Sequence, residues 1–268
     1  VHFVRHGETE QNKDGIWQGH TNTQLSKTGK AQAKLLSKRI NLKNQTVFTS
    51  DLARAKETAY FLSDSPNVRE NLREINVGDF TGKSVKETYS NNLEIFDALQ
   101  YDTYVFPNGE SVQEFKLRVQ KEVDHIFDNI DEDSECVVVT HGFFIGTAIG
   151  LVLGFNQYPY PIGNIQNTSI STVIKRDSVM QVNKFNDAIH LPNSYIDYPA
   201  RDKSRILTFI RHGQTDSNTQ GVWQGHVDNP LNTYGVETAK QLKGKFSNYD
   251  LYLSCLLYTS DAADDDRG

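Results

Sequence analysis

Two stretches of this chain set a histidine behind a short apolar run and ahead of a glycine: "HFVRHG", ending on His6 and Gly7, and "CVVVTHG", ending on His141 and Gly142. Both runs are rich in β-branched residues and read as strands. In an open α/β sheet, ligands gather at strand carboxyl ends, where the helices that follow aim backbone N–H groups outward. Glycine there lets the chain turn sharply and approach a ligand closely. A lone strand-end histidine is as readily a hydrogen-bonded structural residue; two in matching contexts favour a site. Between them, "SDLARAKETA" puts Arg54 in the first turn of a predicted helix, where a cation opposes the helix dipole. Pairing with Asp51 or Glu57 would account for that placement, and so would an anion faced by both Arg54 and the helix end. Arg5 lies beside His6. Two imidazoles, two guanidinium forks and a helix N-terminus make a trap for a phosphoryl group.

Phosphoryl transfer asks a protein mainly for positioning and charge stabilisation, with a nucleophile and a proton donor for the leaving oxygen. An imidazole is largely neutral near pH 7 and can be locked in one tautomer through its second nitrogen. His6, on a rigid strand end, is the expected nucleophile. For the acid, "LREINVGDFTGKS" offers Glu74 and Asp79. Spacing leaves both open, and also leaves open that each is an exposed loop residue. A partly buried Glu74 would have its pKa raised enough to stay protonated. No P-loop, cysteine-nucleophile signature or carboxylate metal cluster is present in the sequence, so neither metal nor other cofactor is expected.

The elements that must position these residues alternate. "HFV" and "TVFTS" (46–50) read as strands, and the amphipathic stretches Lys27 to Ile40 and Leu52 to Leu62 as helices. A helical stretch from Ser84 to Leu99 follows, then a capping box at Ser111 and Glu114 opening a helix to about Asn129. The strand "CVVVT", an apolar helix after Gly142, and a closing hairpin from "STVIK" and "VMQVNKF" complete the run. Such alternation predicts an α/β fold of three layers, α/β/α, with a mostly parallel sheet.

The motifs together resemble the histidine phosphatase superfamily, in its phosphoglycerate-mutase-like branch. In order they are "RHGETEQN", "WQGHTNTQLSKTGKAQA", "FTSDLARAKETA", "LREINVGDFTG", "PNGESVQEF", "VVVTHG" and "NTSISTV". The resemblance implies that His6 becomes a phosphohistidine while Arg5, Arg54 and His141 bind the phosphoryl group. It implies Glu74, rather than Asp79, as proton donor and then base for water, and it places Asn12, Gln18 and Gly19 along the phosphate end of the pocket. The family often has Asp where Asn22 stands. Mutases of this branch carry a longer insertion between the Glu and second His motifs; here Glu74 and His141 are 67 residues apart, which favours a phosphatase acting on a small phosphorylated metabolite. A bisphosphoglycerate-dependent mutase and a non-catalytic phospho-ligand binder are the alternatives. Tyr89, Phe96, Tyr101, Tyr104 and Phe106 form either an apolar wall facing substrate or packing for core and cap.

The motif also returns. Residues 2–36 laid on 208–242 give 16 identities in 35 positions, including Arg211, His212, Asn218, Gln224 and Gly225. That predicts a histidine phosphatase domain over 1–193, a linker over 194–204, and a truncated second domain over 205–268 whose tail is atypical from about 255. Thr259 stands where Arg54 does, and no Glu or His-Gly motif follows, so the second copy is expected to be inactive and too short to bury a full core.

Composition narrows the remaining classes. The net charge of −6 includes −3 from "DAADDDRG", and the balanced remainder shows no basic stripe for nucleic acid. The longest apolar run, Gly142 to Phe155, has 14 residues and four glycines, short of the roughly 20 a membrane span needs. Two poorly spaced cysteines, Cys136 and Cys255, suggest a reducing compartment, with the cytoplasm expected. The chain starts at Val1 and is expected to be a fragment.

Overall fold

The computed structural model describes residues 1–40, 45–91, 104–131, 134–155, 164–192, 208–242 and 251–254. The expected linker, Phe96, Tyr101, the Tyr89 side chain and the tail from 255 lie outside the described residues. The chain divides into two compact units, Val1–Ser194 and Tyr195–Gly268.

The first unit is built on a six-stranded mixed sheet, ordered β3-β2-β4-β1-β5-β6. Its strands are β1 His2–Arg5, β2 Thr46–Ser50, β3 Asn67–Arg69, β4 Cys136–Thr140, β5 Ile170–Arg176 and β6 Val179–Asp187. β3, β2, β4 and β1 run parallel, and the β5–β6 hairpin adds antiparallel to β1, as expected of the closing segment. The helices are α1 Glu10–Lys13, α2 Lys27–Arg39, α3 Ala53–Tyr60, α4 Val85–Asn91, α5 Val112–Asp128 and α6 Gly142–Val152. α5 opens on the expected capping box: Ser111 Oγ accepts from Glu114 N at 3.1 Å, and Ser111 N donates to Glu114 Oε2 at 2.9 Å. The strand β3 and two short 3-10 turns, Glu70–Leu72 and Gly78–Phe80, carry no periodic signal in so few residues.

Alternation along the strands sorts the core into two faces. Phe3 and Val138 join Phe115, Val119, Phe144 and Ile145 of α5 and α6. Val4, Val47, Val137 and Val139 join Leu36 of α2 and Ala55 and Ala59 of α3. The central strands are apolar on both faces because both are covered, which is why β4 reads as an unbroken hydrophobic run.

One close approach fixes how the loop after β1 meets α2. A Cβ on Gly29 would stand 2.1 Å from the Glu8 carbonyl oxygen, and one on Gly7 would stand 2.6 Å from the Gly29 oxygen. Ser26 N donates to Glu8 O at 2.8 Å, and Ser26 Oγ donates to Glu8 Oε1 at 2.9 Å, which locks the joint.

The second unit repeats this joint in miniature. Among the described residues its helices are α7 Asp216–Thr219 and α8 Thr233–Lys240; Gly213 precedes α7 and Gly235 lies in α8, and Cβ atoms on them would meet backbone oxygen at 2.6 and 2.1 Å. Several of its apolar residues lie open among the described residues, however. Phe209 is 86% exposed and Trp223 99%, where their counterparts Phe3 and Trp17 are 0% and 7% exposed.

Gly29→Ala should cost the first unit roughly 2–4 kcal/mol, since backbone rather than a movable side chain blocks the new methyl. The check is a lower urea midpoint with an unchanged m-value.

Candidate active site

Strand register brings the two histidines together. β1 and β4 are parallel neighbours with Arg5 opposite Thr140, so the next residue on each, His6 and His141, sit side by side. Their ring centroids are 5.1 Å apart. β2 lies on the other side of β4 in parallel register, and the helix it feeds, α3, supplies Arg54.

His6 is 3% exposed, Arg54 1% and His141 0%. His6 Nδ1 faces its own loop's Gly7 carbonyl oxygen at 2.7 Å, while Arg54 Nε donates to His6 Nε2 at 3.2 Å. These two contacts require one tautomer: the proton is on Nδ1 and the lone pair on Nε2. Arg54 spends its other nitrogens on carbonyl oxygens, Nη1 on Thr21 at 2.7 Å and Nη2 on Gly19 at 2.9 Å. Gly19 holds a positive φ of 46°, and a side chain there would press on Val77 and Thr81. Neither Asp51 nor Glu57 pairs with Arg54: Asp51 takes Arg73 at 2.8 and 2.5 Å, and Glu57 Oε2 accepts from Leu25 N at 3.1 Å.

Arg5 is half-buried, donates through Nη1 to the Ile165 carbonyl, and lies against Gly142, whose absent Cβ would come within 3.5 Å of Arg5 Nε. Among the described residues, Arg5 Nε and His141 Nδ1 are buried polar atoms without a hydrogen-bond partner. His141 uses its other nitrogen, Nε2, on Ser50 Oγ at 2.9 Å. Buried polar atoms of this kind are costly unless something binds them.

Among the described residues, Glu74 is the carboxylate whose charge acts on both Arg5 and Arg54. Its Oε1 accepts from Ile75 N at 3.1 Å and its Oε2 from Phe143 N at 3.2 Å, in the first turn of α6. Asp79 stands elsewhere: it is exposed and accepts both of its bonds from Asn108 Nδ2, at 3.1 and 3.0 Å. Asn12 and Gln18 put their side-chain oxygens into the surrounding loop. Asn12 Oδ1 accepts from Thr9 N and from Asn167 Nδ2, and Gln18 Oε1 accepts from the hydroxyls of Thr9 and Thr23. Asn22 Oδ1 accepts from Ala53 N at 2.7 Å, capping α3 as an aspartate there would. Phe106 packs in the core against Tyr104, Phe80 and Trp17.

Several residues at the site carry no signal of their own in the sequence. Ser50 seats His141, Thr58 Oγ1 accepts from Gly7 N at 3.0 Å, and Asn167 Nδ2 donates to the His6 carbonyl at 2.9 Å. His20 and Arg118 contact the Glu74 carbonyl, and Glu110 accepts from the Asn76 amide two residues on. Ser50 and Asn167 lie inside quoted motifs, but nothing in the string says which atom each would meet.

Burial dominates the electrostatics. It drives the pKa of His6 well below the ordinary imidazole value, helped by Arg54 and then Arg5, and it does the same to His141, helped first by Arg54. Burial pulls Arg54 down to about 10, still protonated at neutral pH. It raises Glu74, against the pull of the Phe143 and Ile75 amides and the two arginines. Two neutral imidazoles, two guanidiniums and one carboxyl leave a buried surplus of positive charge. Among the described residues, no group of three or more His, Cys, Asp or Glu side chains is arranged to hold a metal ion, and no helix is long and apolar enough to cross a membrane.

Fold and site thus define an α/β protein with two buried histidines and two arginines gathered at its strand ends. The chain belongs to the Histidine phosphatase superfamily (branch 1), whose profile matches residues 1–188 and again 207–263. It is 30% identical over 199 residues to the "Metal-independent phosphoserine phosphatase" of Arabidopsis thaliana, covering 70% of this chain and 82% of that protein. It is 28% identical over 210 residues to the "Probable phosphoglycerate mutase GpmB" of Enterobacter sp. (strain 638), covering 76% and 97%. Phosphoserine phosphatase from Entamoeba histolytica, solved in complex with phosphoserine, superposes with a TM-score of 0.65 at 28% identity, covering 71% of this chain and 98% of that one.

Inorganic phosphate should raise the melting temperature of the protein by occupying the buried donors, by about 2.7 kcal/mol of stability at a hundredfold excess over Kd. Arg5→Met should abolish the shift, measured by scanning fluorimetry across a phosphate series.

Proposed function

We propose that the first unit is a phosphomonoesterase that forms a phosphohistidine on His6. One observation carries this: the imidazole, locked by Gly7, presents its Nε2 lone pair to the Arg54 guanidinium. A phosphoryl group arriving at Nε2 would find its oxygens against Arg54, with Arg5 Nε and His141 Nδ1 as further donors. In the first step Nε2 attacks phosphorus, the ester P–O bond breaks, and Glu74 gives its proton to the leaving oxygen. In the second, the Glu74 carboxylate takes a proton from water, the water oxygen attacks phosphorus, and the N–P bond breaks to release inorganic phosphate. The raised pKa of Glu74 suits the donor, and the lowered pKa of His6 suits a neutral nucleophile.

Phosphatase relatives and the short span between Glu74 and His141 support hydrolysis of a small phosphorylated metabolite. The mutase name among the relatives favours a second reading, phosphoryl transfer between two metabolites. Release of inorganic phosphate from a panel of monoesters separates the two. The tandem repeat is read as a duplication whose second copy does not turn over: His212 Nδ1 repeats the contact to its following carbonyl at 2.7 Å, but the ring and Arg211 are exposed.

Incubation with a 32P-labelled monoester, quenched in alkali because phosphoramidates are acid-labile, should label the wild type and His212→Ala equally and leave His6→Ala unlabelled. Label on His6→Ala would refute the assignment. The pH profile of kcat/KM should be a bell. His6 must be neutral, so the rising limb lies below the ordinary imidazole pKa; Glu74 must be protonated, so the falling limb lies above the ordinary carboxyl pKa. Glu74→Gln should remove the falling limb.

A further inference from the structure

Glu74 is carried on irregular backbone between the two 3-10 turns, so no helix or strand sets its direction. What sets it is the bonding of the neighbouring carbonyls and amides. Arg118, on α5, donates through Nη1 to the carbonyls of Asn71 at 2.8 Å and Arg73 at 3.0 Å, and through Nη2 to that of Glu74 at 3.2 Å. Its remaining donors go to Glu110, Nε to Oε1 at 2.9 Å and Nη2 to Oε2 at 2.8 Å. All five N–H groups of the guanidinium are thereby spent. Glu110 closes the far side of the segment, accepting from Asn76 N at 3.2 Å and donating its own amide to Asn76 O at 2.8 Å. His20 Nε2 adds a second contact to the Glu74 carbonyl at 2.7 Å. The guanidinium is seated on the Phe115 ring, 5.0 Å from its centroid.

We propose that Arg118, oriented by Glu110, is the positioning residue for proton transfer by Glu74: it clamps the backbone leading into the acid and the acid's own carbonyl, while Glu110 holds the backbone after it, and so fixes where the carboxyl meets the leaving oxygen. This rests on the reading of Glu74 as the proton donor. Arg118 touches no reacting atom. A planar fork is required, because one group must meet three carbonyls and a carboxylate in fixed directions; an ammonium at the same place cannot. A displacement of the acid by about 1 Å is enough to cost on the order of a hundredfold in rate.

The test exploits the leaving group. An alkyl alkoxide needs a proton as it departs, whereas p-nitrophenolate leaves as a stable anion, and kcat/KM reports the step to His6 without the later hydrolysis of phosphohistidine. Arg118→Met should lower kcat/KM for O-phosphoserine, or another alkyl ester the wild type hydrolyses, by roughly 30–300-fold, while p-nitrophenyl phosphate falls by about threefold or less. Arg118→Lys should recover only part of the alkyl-ester loss. A role confined to stability would lower both substrates alike, and equal losses, or no loss, would overturn the proposal. If Arg118→Met does not fold, Arg118→Lys and Glu110→Gln carry the same comparison. Glu74→Gln is run alongside: if it does not discriminate between the esters, the proton-donor reading falls and this proposal with it. If it discriminates and the Arg118 variants do not, the proposal alone falls.

Discussion

The contact on which the site depends is between a buried guanidinium and a buried imidazole. Arg54 is almost wholly removed from water, and a cation in such a place is unstable unless its donors are met. Two of its nitrogens are met by the Thr21 and Gly19 carbonyls, which carry partial rather than full negative charge. The third faces His6, which must therefore stay neutral. Among the described residues Glu74 is the carboxyl acting on this charge, and its amide contacts hold it at the start of α6. The cluster is thus assembled with more positive than negative charge in low dielectric, where charges interact far more strongly than in water.

Such an arrangement survives only because distant segments hold it. The parallel register of β1 and β4 aligns two histidines that are 135 positions apart in the chain, and that of β2 brings Ser50 to His141. The loop before β5 binds back across the end of β1, with Asn167 on the His6 carbonyl and the Ile165 carbonyl on Arg5. Glu74 sits on irregular backbone between two 3-10 turns, with no ladder of its own. That explains why so many side-chain bonds, from His20, Glu110 and Arg118, converge on its segment.

The repeat separates local from global causes. Around His212 the short helix, its Thr215 cap, the Gln224 contact to Thr215 and the two close glycines all recur. These features depend on hydrogen bonds and steric limits within about 25 residues, so a similar string folds into a similar joint. The burial of Phe3 and Trp17 does not recur at Phe209 and Trp223, because in the first unit those rings are covered by β4, Phe106 and Phe143, which come from elsewhere in the chain.

Five of the six described strands, the longer helices and the Ser111–Glu114 capping box were legible in the string because periodicity and capping are local signals, and the paired His-Gly ends together with Arg5 and Arg54 pointed to a phosphoryl site by residue type. The choice between Glu74 and Asp79 was not legible from spacing: both stand in one polar loop, and only packing turns Glu74 toward the arginines and Asp79 toward Asn108. Nor was the environment of Arg54, which burial, rather than sequence neighbours, frees from Asp51 and Glu57. Residue types thus determined which chemistry this protein carries. Tertiary structure decided which atoms face one another and at what pKa, since desolvation and register are properties of segments brought together from far apart.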